Sequence, residues 1–222
     1  MNRSLKALGV LLAYPTAELR AALPEIAAAL AADSRLPKTA LTAVGALINE
    51  LSESEVMDLE ERYVELFDRG RLTSLNLFEH VHGESRDRGP AMVDLKQIYR
   101  RAGYQLSTRE LPDYLPALLE FLSLRPEGEA VETLDDCAHI LRQIGEALRD
   151  RDSRYSAVFV ALLAWIGAPG LRARGSAPRP REKSIDEEWV DAEVVFGPAA
   201  APACATSKRP ASSIMQFVPR VR

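Results

Sequence analysis

The sequence predicts an all-α fold, a single-domain helical bundle followed by a largely disordered C-terminal tail. Three observations carry this. Apolar residues along the first three quarters recur at spacings of three and four rather than two. Val/Ile/Thr-rich alternating runs are missing. Proline, glycine and capping residues break the pattern at helix-sized intervals. With 222 residues, 47% of them hydrophobic, the chain suits one domain that buries about two thirds of its unfolded surface. The domain is expected over 1–168 and the tail over 169–222.

A first helix is expected from Ser4 to Ala13, with Leu5, Leu8 and Leu12 on one face, ending where Pro15 pushes Tyr14 out of the α region. Arg3 and Lys6 ahead of "ALGVLLAYP" resemble the start of a secretory signal. The short apolar run, broken by Pro15 and Glu18, favours a packed helix instead. Thr16 caps a second helix that runs to Ala32, with Pro24 as a kink or break. Pro37 opens a third, with Leu41, Val44, Ile48 and Leu51 as its apolar stripe. Ser52 and Glu55 form a capping box for a fourth, which runs through Tyr63 and Phe67 to Asp68 and stops at Gly70. Further helices are expected from Pro90 to Gly103, from Pro112-Asp113 to Arg125, from Glu129 to Asp150 and from Ser153 to Ile166. The last is apolar almost all round, which places it at the centre.

Beyond Pro169-Gly170 the runs "RARGSAPRPREK" and "GPAAAPACATSKRPASS" bury too little apolar surface to offset the entropy of ordering, and are expected to be disordered. Between them, "SIDEEWVDAEVVF" (184–196) either docks on the body, binds a partner or stays solvated. The net charge is −4, with −7 on residues 1–170 and +3 on the remainder. An acidic body speaks against capture of nucleic acid, which requires a cationic footprint. Two cysteines without metal-ligand spacing fit a reducing compartment. No apolar run reaches the roughly 18 residues that span a bilayer.

The densest chemistry lies in "LFEHVHGESRDRGPAMVDL" (77–95). His80 and His82 stand two apart. A zinc helix sets its histidines four apart so that both rings leave one face, whereas a spacing of two turns them about 200° from each other. Polar surface or local hydrogen bonding is the expected role. No G-x-S-x-G elbow, GxxxxGK[ST] or GxGxxG loop is present. The carboxylate pairs of "LEERYVEL" and "TLDDC" read as solvated helix faces. Cys137 reads as a small buried hydrophobe and His139 as a satisfied or exposed helix residue. Asp87 is expected to cap the helix opened by Pro90, while Arg86 and Arg88 pair with Glu79, Glu84 or more distant carboxylates.

The run from Tyr63 to Leu95, with "LFDRGR", "LFEHVHGESRDRG" and "AMVDL", followed by "RELPDYLPALLEFL", closely resembles the NarJ family. These are cytoplasmic assembly chaperones of respiratory nitrate reductase within the wider TorD/DmsD-like group. The resemblance covers the body, and "EEWVDAEVVF" is similar to that family's C-terminal region. The wider group usually carries histidine where this chain has Tyr114.

The resemblance implies a TorD-like helical chaperone with no catalysis of its own and no stably bound cofactor. It would bind the N-terminal peptide of the nitrate reductase α subunit, hold the apo αβ complex off its membrane anchor, and assist insertion of the molybdenum cofactor, bis-molybdopterin guanine dinucleotide. The expected client contacts are Glu79, His80, His82, Glu84, Arg86, Asp87 and Arg88, with Asp113, Tyr114, Pro116 and Glu120 as the neighbouring element. For each, the other reading is a helix junction that shapes the bundle without touching the client. The competing function is a metal-dependent hydrolase built on the His80, His82 and carboxylate cluster.

Overall fold

The computed structural model describes residues 1–83, 85–106 and 110–173. Ten α-helices account for most of them: α1 Arg3–Leu11, α2 Ala17–Ala31, α3 Lys38–Glu53, α4 Val56–Tyr63, α5 Leu77–His82, α6 Arg88–Arg101, α7 Leu115–Ser123, α8 Glu127–Asp136, α9 Ala138–Asp150 and α10 Ser156–Trp165. A π-helical turn, Val64–Asp68, continues α4, and a 3-10 turn, Arg71–Thr73, follows it. Among the described residues there is no strand, only one isolated antiparallel bridge between Asn76 and Tyr114. The all-α expectation holds. Residues 184–196 and Cys204 lie outside the described residues.

The core forms around the least amphipathic helix, against the apolar faces of its neighbours. In α10, Ala157, Val158, Phe159, Ala161, Leu162, Leu163 and Trp165 are all buried, so this helix sits in the middle and packs on α9, α3 and α1. On its other side α1 meets α7 and α2, burying Leu5, Leu8, Leu11 and Leu12 completely. Gly9 makes the α1–α7 approach possible. A Cβ there would lie 3.1 Å from Leu119 Cβ and 3.2 Å from the Pro116 carbonyl oxygen. The first helix is therefore a packed core element, and among the described residues no helix is long and apolar enough to cross a membrane.

Four boundaries differ from the expected ones. Helix α2 passes through Pro24 without a break. Leu19, Leu23, Ile26 and Leu30 are buried on both sides of the exposed proline, and their packing holds the helix across the missing hydrogen bond. Ser52 does not cap α4: it remains inside α3, where its hydroxyl donates to the Asn49 carbonyl at 2.9 Å. The segment expected as one helix from Glu129 to Asp150 is two, α8 and α9, separated at Cys137. Finally, α7 starts at Leu115 rather than at Pro112-Asp113, because Asp113 is engaged elsewhere.

After α10 the chain returns along α9. The Arg142 guanidinium donates to the Pro169 carbonyl at 3.0 Å, and the Arg172 N–H donates to Glu146 Oε1 at 2.8 Å. At the far corner Asp33 accepts from Trp165 Nε1 at 3.1 Å while the Arg35 guanidinium lies 4.6 Å from the Trp165 ring centroid. That contact ties the α2–α3 connection to the central helix.

Candidate functional site

The charged stretch forms the junction where residues 74–88 meet residues 111–116. Its hub is Asp113. The Asp113 carbonyl accepts from Leu77 N at 3.1 Å, and its Oδ2 accepts from Phe78 N at 2.9 Å. These are the first two N–H groups of α5, which as helix-start donors have no partner within the helix itself. Leu115 N returns a bond to the Leu75 carbonyl at 2.9 Å. Asp113 thus caps α5 from another segment, and local sequence around α5 gives no hint of it.

The capping carboxylate is fully buried, and its second oxygen, Oδ1, has no hydrogen-bond partner among the described residues. Burial holds its pKa above the ordinary carboxylate range, against the Phe78 N–H bond and the Arg88 guanidinium, which favour the ionised form. Arg88 is shared. It bonds Glu79 Oε1 at 3.1 Å, so one cation serves two carboxylates. Above them, Tyr99 donates its hydroxyl to the Pro112 carbonyl at 2.7 Å, anchoring α6 to the same loop.

The histidines part company, as their spacing demands. His80 turns inward and its Nε2 donates to the Ser74 carbonyl at 2.9 Å; burial lowers its pKa, with the Ser74 bond and Glu79 opposing. His82 sits edge-on to Phe78 at a centroid distance of 5.6 Å. Among the described residues no group of three or more His, Cys, Asp or Glu side chains is placed to hold a metal ion. Nor is Cys137 poised as a nucleophile, since burial pushes its thiol up to about 12 and the thiolate is the reactive form.

Of the eleven expected site residues, Glu79, His80, Arg88, Asp113 and Tyr114 share this junction, and Pro116 is buried beside it at the start of α7. Arg86 and Asp87 are exposed at its edge. Asp87 does not cap α6 with its side chain; it accepts from the Ser85 hydroxyl at 3.2 Å. Glu120 belongs to a different surface, where it pairs with Lys6 at 3.3 Å. Glu84 lies outside the described residues.

Sequence reading missed the aromatic cluster joined to this junction. Tyr114 donates to the Tyr63 hydroxyl at 3.1 Å, because the single Tyr63 proton goes to the Leu12 carbonyl at 2.9 Å. Tyr14 meets Tyr63 edge-on at 5.4 Å, and Phe67 lies between Tyr63 and Tyr155 at 4.8 and 5.1 Å. Burial raises the Tyr63 pKa far beyond the physiological range, so this hydroxyl is a fixed structural donor. The π turn brings Tyr63, Leu66 and Phe67 inward together. Such turns recur at functional sites.

The model of the family described as nitrate reductase delta subunit matches residues 13–161, the whole of this junction included. The chain belongs to the nitrate reductase delta subunit family. Within the family, the nitrate reductase molybdenum cofactor assembly chaperone NarJ of Escherichia coli strain K12 is 51% identical over 192 residues, covering 84% of this chain and 81% of its own. The probable nitrate reductase molybdenum cofactor assembly chaperone NarW of the same strain is 39% identical, covering 91% and 87%. Among solved structures, a putative redox enzyme maturation protein from Archaeoglobus fulgidus superposes with a TM-score of 0.56 at 18% identity, over 75% of this chain and 94% of that one. That likeness concerns the fold. For this member of the delta subunit family it matches the all-helical architecture described above.

Proposed function

We propose that this protein is a cytoplasmic assembly chaperone for respiratory nitrate reductase that catalyses no reaction itself. It binds the N-terminal segment of the catalytic α subunit, keeps the apo αβ complex off its membrane anchor, and releases it once the molybdenum cofactor is inserted. The observation that carries the reading is the 51% identity to a NarJ chaperone over most of both chains. The inert, buried Cys137 and the divergent His80 and His82 support it and favour no hydrolase.

The junction divides into two sets. Asp113, His80 and Pro116 are turned inward and fix the bundle, whereas the more exposed Glu79, His82, Arg86 and Asp87 are the client-facing set of that region. Arg86→Ala with Asp87→Ala leaves folding intact and weakens client capture; an unchanged affinity would assign all of these residues to the fold.

The decisive experiment is a pull-down with the tagged full chain from cells that lack molybdenum cofactor synthesis. The reading expects the α subunit to be retained as an apo αβ complex, and membrane-bound reductase made without this chain to lack molybdenum. Reductase that acquires its full molybdenum content in the absence of the chain would refute the reading.

A further inference from the structure

Four arginines converge on a depression of about 810 Å³: Arg62 from α4, Arg69 directly after the π turn, and Arg151 and Arg154 from the α9–α10 connection. Glu50, Glu65 and Asp152 share the lining, which leaves it a surplus of one positive charge. Residues 1–170 as a whole carry −7, so the sign is locally reversed. Gly70 lets the two sides meet, since a Cβ there would stand 2.9 Å from Arg151 Nη1.

Arg62 and Arg154 are held by one carboxylate set beneath them. The Glu50 side chain is 19% exposed, those of Arg62 and Arg154 49% and 55%. Glu50 Oε1 accepts from Arg62, and its Oε2 from Arg154 Nε at 3.2 Å, while Arg154 Nη1 donates to the Ala46 carbonyl at 3.1 Å. A guanidinium carries five N–H groups, so both arginines keep donors for a further acceptor, and one carboxylate does not neutralise two cations. The Arg69 guanidinium makes no ion pair or side-chain hydrogen bond among the described residues. Tying α3 to α4 and to the α9–α10 connection requires no such third arginine. The connection is itself fixed: Ser153 N–H donates to the Leu148 carbonyl at 3.0 Å and Tyr155 N–H to the Ser153 hydroxyl at 3.3 Å. Between them Asp152 takes φ 53°, in the left-handed region that non-glycine residues seldom occupy.

We propose that this depression binds the diphosphate group of a small molecule, with Arg62, Arg69 and Arg154 donating to its oxygens. A lone carboxylate is matched by a single guanidinium fork, whereas a diphosphate offers many acceptor oxygens and more than one charge, and so suits several arginines arriving from different elements. The size of the depression is that of a small-molecule site. An extended polyanion such as nucleic acid fits badly, because the acidic body around the site offers no cationic footprint beyond it. Glu65 stands on the same lining without an ion pair among the described residues. It works against the anion and limits how much negative charge the site accepts. The proposal goes beyond the client reading and does not depend on it.

Isothermal titration calorimetry on the full chain, at constant ionic strength, uses inorganic pyrophosphate and ADP as probes and sulfate as the control anion. The wild type binds pyrophosphate or ADP more tightly than sulfate. Arg69→Gln and Arg154→Gln each weaken that binding by about ten-fold, and Arg69→Gln does so with unchanged melting, because its guanidinium holds no partner among the described residues. Glu65→Gln tightens binding by removing a repelling charge, an effect that a merely structural role does not produce. Preference for ADP assigns the site to an organic diphosphate, and preference for pyrophosphate assigns it to the free ion. The proposal is overturned if the wild type binds neither probe, if sulfate binds as tightly as both, or if Arg69→Gln/Arg154→Gln binds undiminished. Each of these outcomes leaves the client reading standing.

Discussion

Asp113 and Phe78, 35 positions apart in the chain, are joined by a 2.9 Å hydrogen bond from the Phe78 N–H to Asp113 Oδ2. That bond supplies the cap α5 lacks in its own sequence, since Asn76 precedes the helix without a side-chain cap. The cost is a buried carboxylate with one oxygen unpartnered among the described residues. Asp113→Ala removes the acceptor and leaves a buried N–H bare, which destabilises by about 1–3 kcal/mol. Asp113→Asn keeps an acceptor without the charge and costs less. Because burial raises the folded-state pKa of Asp113, the native state binds its proton more tightly than the unfolded chain does. Its contribution is complete below the ordinary carboxylate range and declines as pH rises through the raised value. Urea unfolding across that interval checks the sign: the Asn variant gains on the wild type with rising pH.

His80 works in the opposite sense. Burial lowers its pKa, so the unfolded chain takes up the proton first and the stability it lends is lost as pH falls from the ordinary histidine range through the lowered value. His80→Gln retains a donor for the Ser74 carbonyl and cannot titrate. Between about pH 7 and pH 5, the wild type should lose more stability than this variant. Equal losses would show that His80 exchanges its proton without cost to the fold.

These two residues also mark where the sequence stops being legible. Helix α1 is legible because its apolar stripe follows the 3.6-residue period, and α10 because it is apolar almost all round. Helix α5, six residues long, is absent from the expected helices because its cap lies on a remote segment. The division of α8 from α9 at Cys137 left no mark either: Leu134, Ile140, Leu141 and Ile144 keep a helical rhythm across it, with no proline or glycine at the turn. Ser52 and Glu55 had the right spacing for a capping box, yet burial of Leu51 keeps Ser52 within α3. Of the site, the sequence motif located Asp113, Glu79 and Arg88. Tyr14 and Tyr63 enter the sequence reading only as a helix terminator and a helix residue, since what distinguishes them is what faces them in space.

Within the tyrosine pair, the donor order predicts an asymmetry. Tyr63→Phe leaves the Leu12 carbonyl without its 2.9 Å partner and costs about 1–2 kcal/mol. Tyr114→Phe leaves that bond in place and removes only the more exposed donor, at about 0.5 kcal/mol or less. Chemical denaturation of the two variants measures the difference. A larger cost for Tyr114→Phe would reverse the order of donation argued from the geometry.

The α9–α10 contact offers a test of packing without any polar term. A Cβ on Gly145 would stand 2.8 Å from Phe159 Cβ and 2.8 Å from Leu171 Cδ2. Phe159 is fully buried in the central helix, so the neighbour that must move is the one least free to do so. Gly145→Ala therefore destabilises by about 1–3 kcal/mol, although alanine is the better helix former by about 1 kcal/mol. Gly128, in α8, is the matched control, with nothing within 4 Å of the corresponding position. There the propensity acts alone, and Gly128→Ala is neutral or stabilising by up to about 1 kcal/mol. Opposite shifts in thermal midpoint for the same chemical change, read on the full chain, would establish that close approach of α9 to the central helix requires a glycine at 145. A stabilised Gly145→Ala variant would show that the two helices stand further apart than this packing demands.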